Sequence, residues 1–150
     1  MANRNLFNSI RVKPPQRSHF DLSHDVKLTL NMGNLVPILN MECVPGDQFN
    51  ISDSLIRFAP LISPVMHRMD VTLHYFFVPN RILWRDWDDF ISRKSTSLVH
   101  PYFSEANFPL FFGDGTLADY FGIPGNVNTN LKLNPFPFAA YQKIYNECLS

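Results

Sequence analysis

The sequence predicts a mainly β protein, a sandwich or jelly roll that carries inserted short helices and long loops. Three observations predict this class. Short segments alternate apolar and polar residues, proline and glycine separate those segments, and the first convincing helix comes only after residue 80. Twelve prolines against six glycines favour many short elements joined by rigid turns. Short strands separated by turns are typical of sandwiches and jelly rolls.

The composition indicates a folded protein with no net charge. The chain has 150 residues, of which 45% are hydrophobic and 14% aromatic, and this excludes an intrinsically disordered chain. Thirteen basic side chains balance thirteen acidic ones, so any attraction for nucleic acid or an anionic membrane must be local. No apolar run approaches the roughly 20 residues that span a bilayer, and the polar start lacks the apolar core of a secretory signal. We expect a soluble protein that is made in a cytoplasm and has no membrane partner.

Residues 1–20 form a basic N-terminal arm. The arm holds no acidic residue and contains the stiff Pro14–Pro15 pair. Its cations are Arg4, Arg11, Lys13 and Arg17. Such a stretch is either an ordinary solvated terminus or an arm that lies along phosphates or a neighbouring subunit. The apolar side chains of Phe7, Ile10 and Val12 favour docking on protein, because a terminus that stays in water does not need apolar residues.

Short strands are predicted after the arm. Segments 26–30 and 39–43 alternate apolar and polar residues, as a strand with one buried face does. The Pro45–Asp47 turn follows, and the alternation resumes at 49–51, so we interpret this region as a hairpin or bend. Segment 56–58 is a candidate to continue the same sheet.

The longest predicted strand occupies residues 69–78. Its odd positions are apolar, and polar residues alternate with them as far as His74. Phe76 and Val78 then make the second face apolar as well, so we expect this end to be covered on both sides by sheet, helix or a neighbouring chain. Pro79 has no amide proton for a central ladder, and the strand should end there.

An amphipathic helix is predicted from Arg81 to Lys94. Large apolar side chains recur on one face at three- and four-residue spacings, opposite a charged face. The apolar positions are Leu83, Trp84, Trp87, Phe90 and Ile91. The two tryptophans could stack on a sugar or a base, but their helical spacing favours packing in a core or an interface.

Beyond this helix the sequence predicts a long aromatic loop and two further helices. The loop from Pro101 to Phe112 is too apolar to be left in water. Thr116 and Asp119 resemble a capping box for a short helix that Gly122 ends. A second helical pattern follows Pro135 and is unfinished at the last residue, so we expect the sequence to be truncated at 150.

The sequence holds no motif for catalysis or for a bound cofactor or metal. The five histidines lack ligand partners at metal spacing, and no GxSxG, P-loop or Rossmann pattern is present. Asp86, Asp88 and Asp89 could suggest a cation site or the carboxylates of a β-sandwich hydrolase, but the calcium-binding loop is missing. Cys43 and Cys148 are too far apart for a CxxC pair and are expected to be isolated, buried thiols. We expect a protein that is not an enzyme and uses no cofactor.

Nine short pieces of sequence carry a family resemblance that covers nearly the whole chain from residue 20. In order they are Leu22–His24, Asn31–Gly33 with Leu35–Pro37, Val44–Asp47, Ala59–Leu61, Pro64–Arg68, Phe76–Arg81, Trp84 with Trp87, Ala118–Tyr120 with Gly122–Pro124, and Ala140–Tyr141 with Ile144–Glu147. Each piece is weak alone, but nine in order with similar spacing are specific. The chain resembles the major capsid protein of gokushovirus-type Microviridae, small bacteriophages with single-stranded DNA.

The resemblance implies a viral jelly-roll β-sandwich, partial in this chain, that assembles into a small icosahedral shell around circular single-stranded DNA. Residues 21–150 would be the N-terminal part of that domain, with a helical and loop insertion from about residue 80 onward. The implied partners are further copies of the protein, other viral structural proteins and the packaged DNA, in a virion made in the cytoplasm of a bacterial host.

The resemblance also gives the candidate contact residues a role. The four cations of the arm, Arg4, Arg11, Lys13 and Arg17, are expected to contact the genome or the inner surface. The candidates for subunit interface or packing are Phe76, Val78, Trp84, Trp87, Phe108, Phe111 and Phe112. The main alternative is a β-sandwich module that binds single-stranded nucleic acid or carbohydrate on Trp84 and Trp87.

Overall fold

The computed structural model describes residues 16–52, 54–60, 62–63, 65–104, 113–123, 125 and 132–148. Within these ranges the chain forms three short helices and one longer one. They are α1 (Asn80–Leu83), α2 (Trp87–Ile91), α3 (Leu117–Tyr120) and α4 (Phe136–Cys148). None of these helices is long and apolar enough to cross a membrane.

The jelly-roll β-sandwich prediction is wrong for the described residues, which form no sheet. Their β pairing is limited to one antiparallel bridge between Phe103 and Leu133. The amide of each residue donates to the carbonyl of the other, at 2.9 and 2.8 Å. The segments predicted as strands, 26–30, 39–43 and 69–78, have no ladder partner among the described residues.

Segment 69–78 illustrates why the alternating pattern was misleading. Alternation identifies side chains that could share a face, but a strand exists only when a second segment accepts and donates the backbone hydrogen bonds. No described segment does so here. Phe77 is 78% exposed, and Val71, Tyr75 and Phe76 are exposed as well. Within the described part of the chain, Phe76 therefore lacks the cover that was expected, whereas Val78 is half-buried.

The helix predicted over 81–94 is divided into α1 and α2. Trp84 ends α1 because its backbone is extended, with φ −137° and ψ 119°. The amide of Trp87 donates to the carbonyl of Trp84 at 3.2 Å, which closes the turn between the two helices. After α2, Arg93 has a φ of 53°, the left-handed conformation that commonly ends a helix.

The start of α3 differs from the predicted capping box. Thr116 makes no side-chain cap to the helix, and its hydroxyl donates instead to the carbonyl of Gly113 at 2.7 Å. The carboxylate of Asp119 accepts from the amide of Gly115 at 2.9 Å. Gly122, at φ 79°, ends the helix as predicted, because glycine adopts this left-handed conformation without a Cβ clash.

Helix α4 begins where the proline pattern predicts. The side-chain oxygen of Asn134 accepts from the amide of Phe136 at 3.0 Å, and Pro137 occupies the first turn, where no intrahelical donor is needed. An ion pair of 2.6 Å between Lys143 and Glu147 bridges one turn near the other end. The described core is small and lies around this helix, where Ala118, Phe136 and Phe138 are 0%, 8% and 6% exposed.

Candidate functional site

Five rings from separate parts of the chain meet at the start of α4. We call them the aromatic cluster: Trp84, Trp87, Phe90, His100 and Phe136. The ring centre of Phe136 lies 6.2 Å from Trp84, 5.5 Å from Trp87 and 5.0 Å from His100. Phe90 lies 5.3 Å from Trp84 and 5.7 Å from His100. The rings meet in edge-to-face and tilted geometries, which are the preferred arrangements of aromatic pairs.

The aromatic cluster brings together the two tryptophans that the sequence singled out. Both are half-buried, and each contacts Phe90 and Phe136. A stacking platform for bases or sugars needs ring faces that are open to a ligand. The contacts with protein rings therefore favour the packing interpretation of Trp84 and Trp87.

A second group of rings joins α3 and α4. The ring of Phe138 lies 5.0 Å from Phe121, which follows α3, and 5.5 Å from Phe103 in the β bridge. Buried Ala118 completes the contact region on α3. These contacts join the residue that follows α3, the bridge and the first turn of α4 into one packed group, which with α3 and α4 is called the helical unit.

A segment without helix or strand, residues 28–42, turns at Asn31–Asn34, crosses this helical unit and is called the strap. The hydroxyl of Tyr120 donates to the carbonyl of Thr29 at 2.9 Å, and the hydroxyl of Tyr141 donates to the carbonyl of Leu35 at 2.8 Å. A longer hydrogen bond of 3.4 Å joins the Asn134 amide to the Glu42 carboxylate. Polar side chains of the helical unit thus hold a segment about 100 positions away in sequence.

The hydroxyl of Tyr141 has an altered acidity. Burial raises its pKa above the ordinary value, and the neighbouring Tyr145 adds to the shift because two phenolates would repel each other. The folded state therefore favours the protonated form, which is also the form that donates to Leu35. This contribution to stability is fully present below the ordinary pKa of about 10 and is lost as the pH rises through the raised pKa.

In an alkaline absorbance titration, we expect a late ionisation step above the ordinary tyrosine pKa, and we assign this step to Tyr141. Tyr141→Phe should remove that late step, and Tyr145→Phe should retain a late step that is shifted to lower pH. Titration in concentrated urea serves as the unfolded control, in which all tyrosines should ionise together. If Tyr141→Phe left the late step in place, the assignment to Tyr141 would be contradicted.

Of the remaining candidate residues, the structure describes Arg17, Phe76 and Val78. Arg4, Arg11 and Lys13 lie outside the described residues, as do Phe108, Phe111 and Phe112. Arg17 is exposed and donates to the side chain of Gln48 at 2.8 Å. Phe76 is exposed and stacks on His74 at 6.0 Å, whereas Val78 is half-buried. Trp84 and Trp87 therefore belong to the aromatic cluster, whereas Phe76 and Val78 do not.

Sequence reasoning missed the roles of four residues in this region. His100 and Phe136 were not assigned to the aromatic cluster, and Tyr120 and Tyr141 were not recognised as hydrogen-bond donors to the strap. The sequence did contain a local signal for Phe136. This aromatic residue lies between Pro135 and Pro137 at the start of a helix, and the prolines restrict the backbone that carries its ring. For the strap contacts no local signal exists.

The described part of the chain brings no acidic or thiol groups together in an arrangement that supports chemistry. Asp89 pairs with Lys94 at 3.2 Å, and Asp86 and Asp88 are exposed. Cys43 and Cys148 are both free and exposed, so the prediction that they are buried is wrong. Among the described residues, no three His, Cys, Asp or Glu side chains are grouped so that they could hold a metal ion.

Large apolar side chains remain exposed along the part of the chain before α1. Soluble monomers seldom leave much apolar surface in water, and larger exposed patches usually mark contact sites. The exposed residues include Phe49, Ile51, Leu55, Phe58, Met66, Val71, Tyr75 and Phe77. This surface is suited to contacts with other protein.

Comparison with known proteins identifies the family. Residues 9–149 match the family described as Capsid protein (F protein). The chain belongs to this phage capsid protein family. The resemblance found in the nine sequence pieces is thereby confirmed.

Three curated relatives of this capsid family carry the name capsid protein VP1. The protein of Chlamydia phage 1 is 36% identical over 154 residues, which cover 96% of this chain and 26% of the relative. The protein of Bdellovibrio phage phiMH2K is 35% identical, with 97% and 28% covered, and that of Spiroplasma virus 4 is 32% identical, with 87% and 24% covered. The chain spans about a quarter of the length of the curated relatives it matches. No solved structure matches the chain.

Proposed function

We propose that the chain is part of a major capsid protein, a structural subunit without catalytic activity that assembles with its own copies into a small icosahedral shell. The observation that carries this proposal is the family match over residues 9–149, together with relatives that are all named capsid protein VP1. The shell would enclose circular single-stranded DNA, include other viral structural proteins and be made in the cytoplasm of a bacterial host.

The distribution of apolar side chains supports a role in assembly. Obligate interfaces resemble a domain core that has been cut in half, so subunits that form them carry apolar surface that a monomer leaves exposed. The described core is small, while Phe77 is 78% exposed and Phe76 is also exposed. Burial of such side chains between subunits would supply the free energy of assembly. The interface candidates Phe76, Val78, Phe108, Phe111 and Phe112 belong to this proposal.

Light scattering and electron microscopy of the complete capsid protein, produced with its companion viral proteins, test the proposal. We expect closed shells. Phe76→Asp should reduce their yield because it places a charge in a subunit contact, and Thr72→Asp is the matched control on the same exposed segment. A complete protein that stays monomeric and never forms shells would overturn the proposal.

The basic arm is proposed to lie on the genome side of the shell. Replacing Arg4, Arg11, Lys13 and Arg17 with Gln should weaken binding to single-stranded DNA and flatten its salt dependence. The slope of log affinity against log salt concentration should change by about 0.7 for each phosphate contact removed. Binding of an oligonucleotide across a salt series measures this slope.

A matched control for the arm removes the same charge elsewhere. Replacing Lys27, Arg57, Arg81 and Arg85 with Gln should change the slope less than the arm replacement does. Equal slopes for the two variants would show that the arm makes no special contact with the DNA.

A further inference from the structure

We infer that the strap, residues 28–42, is a releasable segment that the hydroxyls of Tyr120 and Tyr141 fasten over the helical unit of α3 and α4. Release of the strap would uncover the apolar groove that lies between the strap and the helical unit, and the helical unit would stay folded. The inference concerns a conformational device within one subunit, and it stands or falls independently of shell assembly.

The strap is attached through side chains and not through a backbone ladder. Within the described residues, no backbone hydrogen bond joins it to the helical unit; its own backbone bond is a local one of 3.4 Å from Asn34 to Asn31. Leu30 and Met32 are 55% and 81% exposed, whereas Leu35 to Pro37 are half-buried. The hydrogen bonds from Tyr120 and Tyr141, at 2.9 and 2.8 Å, are therefore the shortest that join the strap to the helical unit in the described part of the chain.

A groove of about 410 Å³ separates the strap from the helical unit. Pro37, Ile38 and Leu39 form the wall on the strap side. The opposite side is lined by Phe121, Ile123, Leu133 and Phe138. A closely packed segment is costly to move because its dispersion contacts must be broken. Atoms on opposite sides of a gap of this size make few such contacts. Release of the strap would therefore break the polar contacts and also expose the half-buried side chains of Leu35, Val36 and Pro37.

The helical unit keeps its own contacts when the strap leaves. The ring of Phe138 still packs at 5.0 Å on Phe121 and at 5.5 Å on Phe103. None of these rings belongs to the strap. A segment held by a few hydrogen bonds beside a unit held by ring packing should open locally, at a lower free energy than global unfolding requires.

Thiol labelling measures the opening. In a chain whose Cys43 and Cys148 are replaced with Ser, Ile123→Cys places a thiol on the groove wall beneath the strap, and Met32→Cys places one on the exposed side of the strap. A bulky maleimide should label the thiol at 123 much more slowly than the thiol at 32. Equal rates would show that the strap is never closed, and would overturn the inference.

The tyrosines are then varied in the chain that carries Ile123→Cys. Tyr120→Phe and Tyr141→Phe should each speed labelling roughly 5-fold, and the double variant roughly 30-fold, as expected for one and two neutral hydrogen bonds of about 1 kcal/mol. Tyr145→Phe is the control, because it lies on the same helix and its side chain is 48% exposed.

Circular dichroism of the same variants separates strap release from unfolding. The helix signal should be unchanged while labelling accelerates. Labelling that stays at the wild-type rate in the double variant would overturn the inference, because the hydroxyls would not be fastening the strap. Loss of the helix signal together with faster labelling would overturn it as well, because the strap would then not be separable from the helical unit.

Discussion

Replacing Phe136 with Ala is expected to lower the free energy of unfolding by about 3–5 kcal/mol, the range for truncating a buried Phe. Phe136 is 8% exposed, and its ring contacts Trp84, which follows α1, and Trp87, the first residue of α2. The substitution removes its ring contacts with Trp84, Trp87 and His100 and leaves a cavity among them. Small domains are stable by only about 5–15 kcal/mol, so this is a large part of the total.

Urea unfolding, followed by tryptophan fluorescence and circular dichroism, measures the loss at Phe136. The fluorescence reports on the aromatic cluster directly, because both tryptophans contact this ring. Tyr145→Ala on the same helix is the control and should cost much less, because this side chain is 48% exposed. A loss below about 1 kcal/mol for Phe136→Ala would mean that the cluster can close around the cavity, against the usual behaviour of packed cores.

The helices could be predicted from sequence to the extent that their boundaries depend on local chemistry. Gly122 ends α3 because of its own backbone freedom, and α4 starts where Asn134 and the flanking prolines favour a first turn. The division at Trp84 was missed, because a continuous apolar spacing fits one helix as well as two that share a packing partner. That partner, Phe136, lies 52 residues further along the chain.

The β prediction failed because a sheet depends on which segments meet. Residues 69–78 have the alternation and the β-branched and aromatic content of a strand, but no described segment supplies the other half of a ladder. The strap contacts could not be predicted from the sequence, because they also depend on which distant segments meet. Tyr120 and Thr29 are separated by 91 positions, and Tyr141 and Leu35 by 106. The Trp84 and Trp87 pair was recognised because its signal is local.

Replacing both Trp84 and Trp87 with Ala separates the capsid proposal from a binding module. If the indoles are packing residues, the double variant should lose stability, because each tryptophan contacts both Phe90 and Phe136. Truncating a buried Trp typically costs about 3–5 kcal/mol, and half-buried rings should cost less. The two losses should not add, since the residues share the same neighbours.

Three measurements on this double variant decide between the two functions: urea unfolding, shell formation by the complete protein, and binding of single-stranded DNA and of oligosaccharides. If the capsid proposal is correct, the double variant should be less stable and should form fewer shells. Arg85→Ala is the control, because Arg85 is exposed and lies between the two tryptophans, and it should leave stability and shell yield near the wild-type values. A stacking platform would give the opposite result, with unchanged stability and lost ligand binding. The contacts of both indoles with Phe136, tilted for Trp84 and edge-to-face for Trp87, favour the first outcome, because a ring that already packs against protein rings offers less open surface to a base or a sugar.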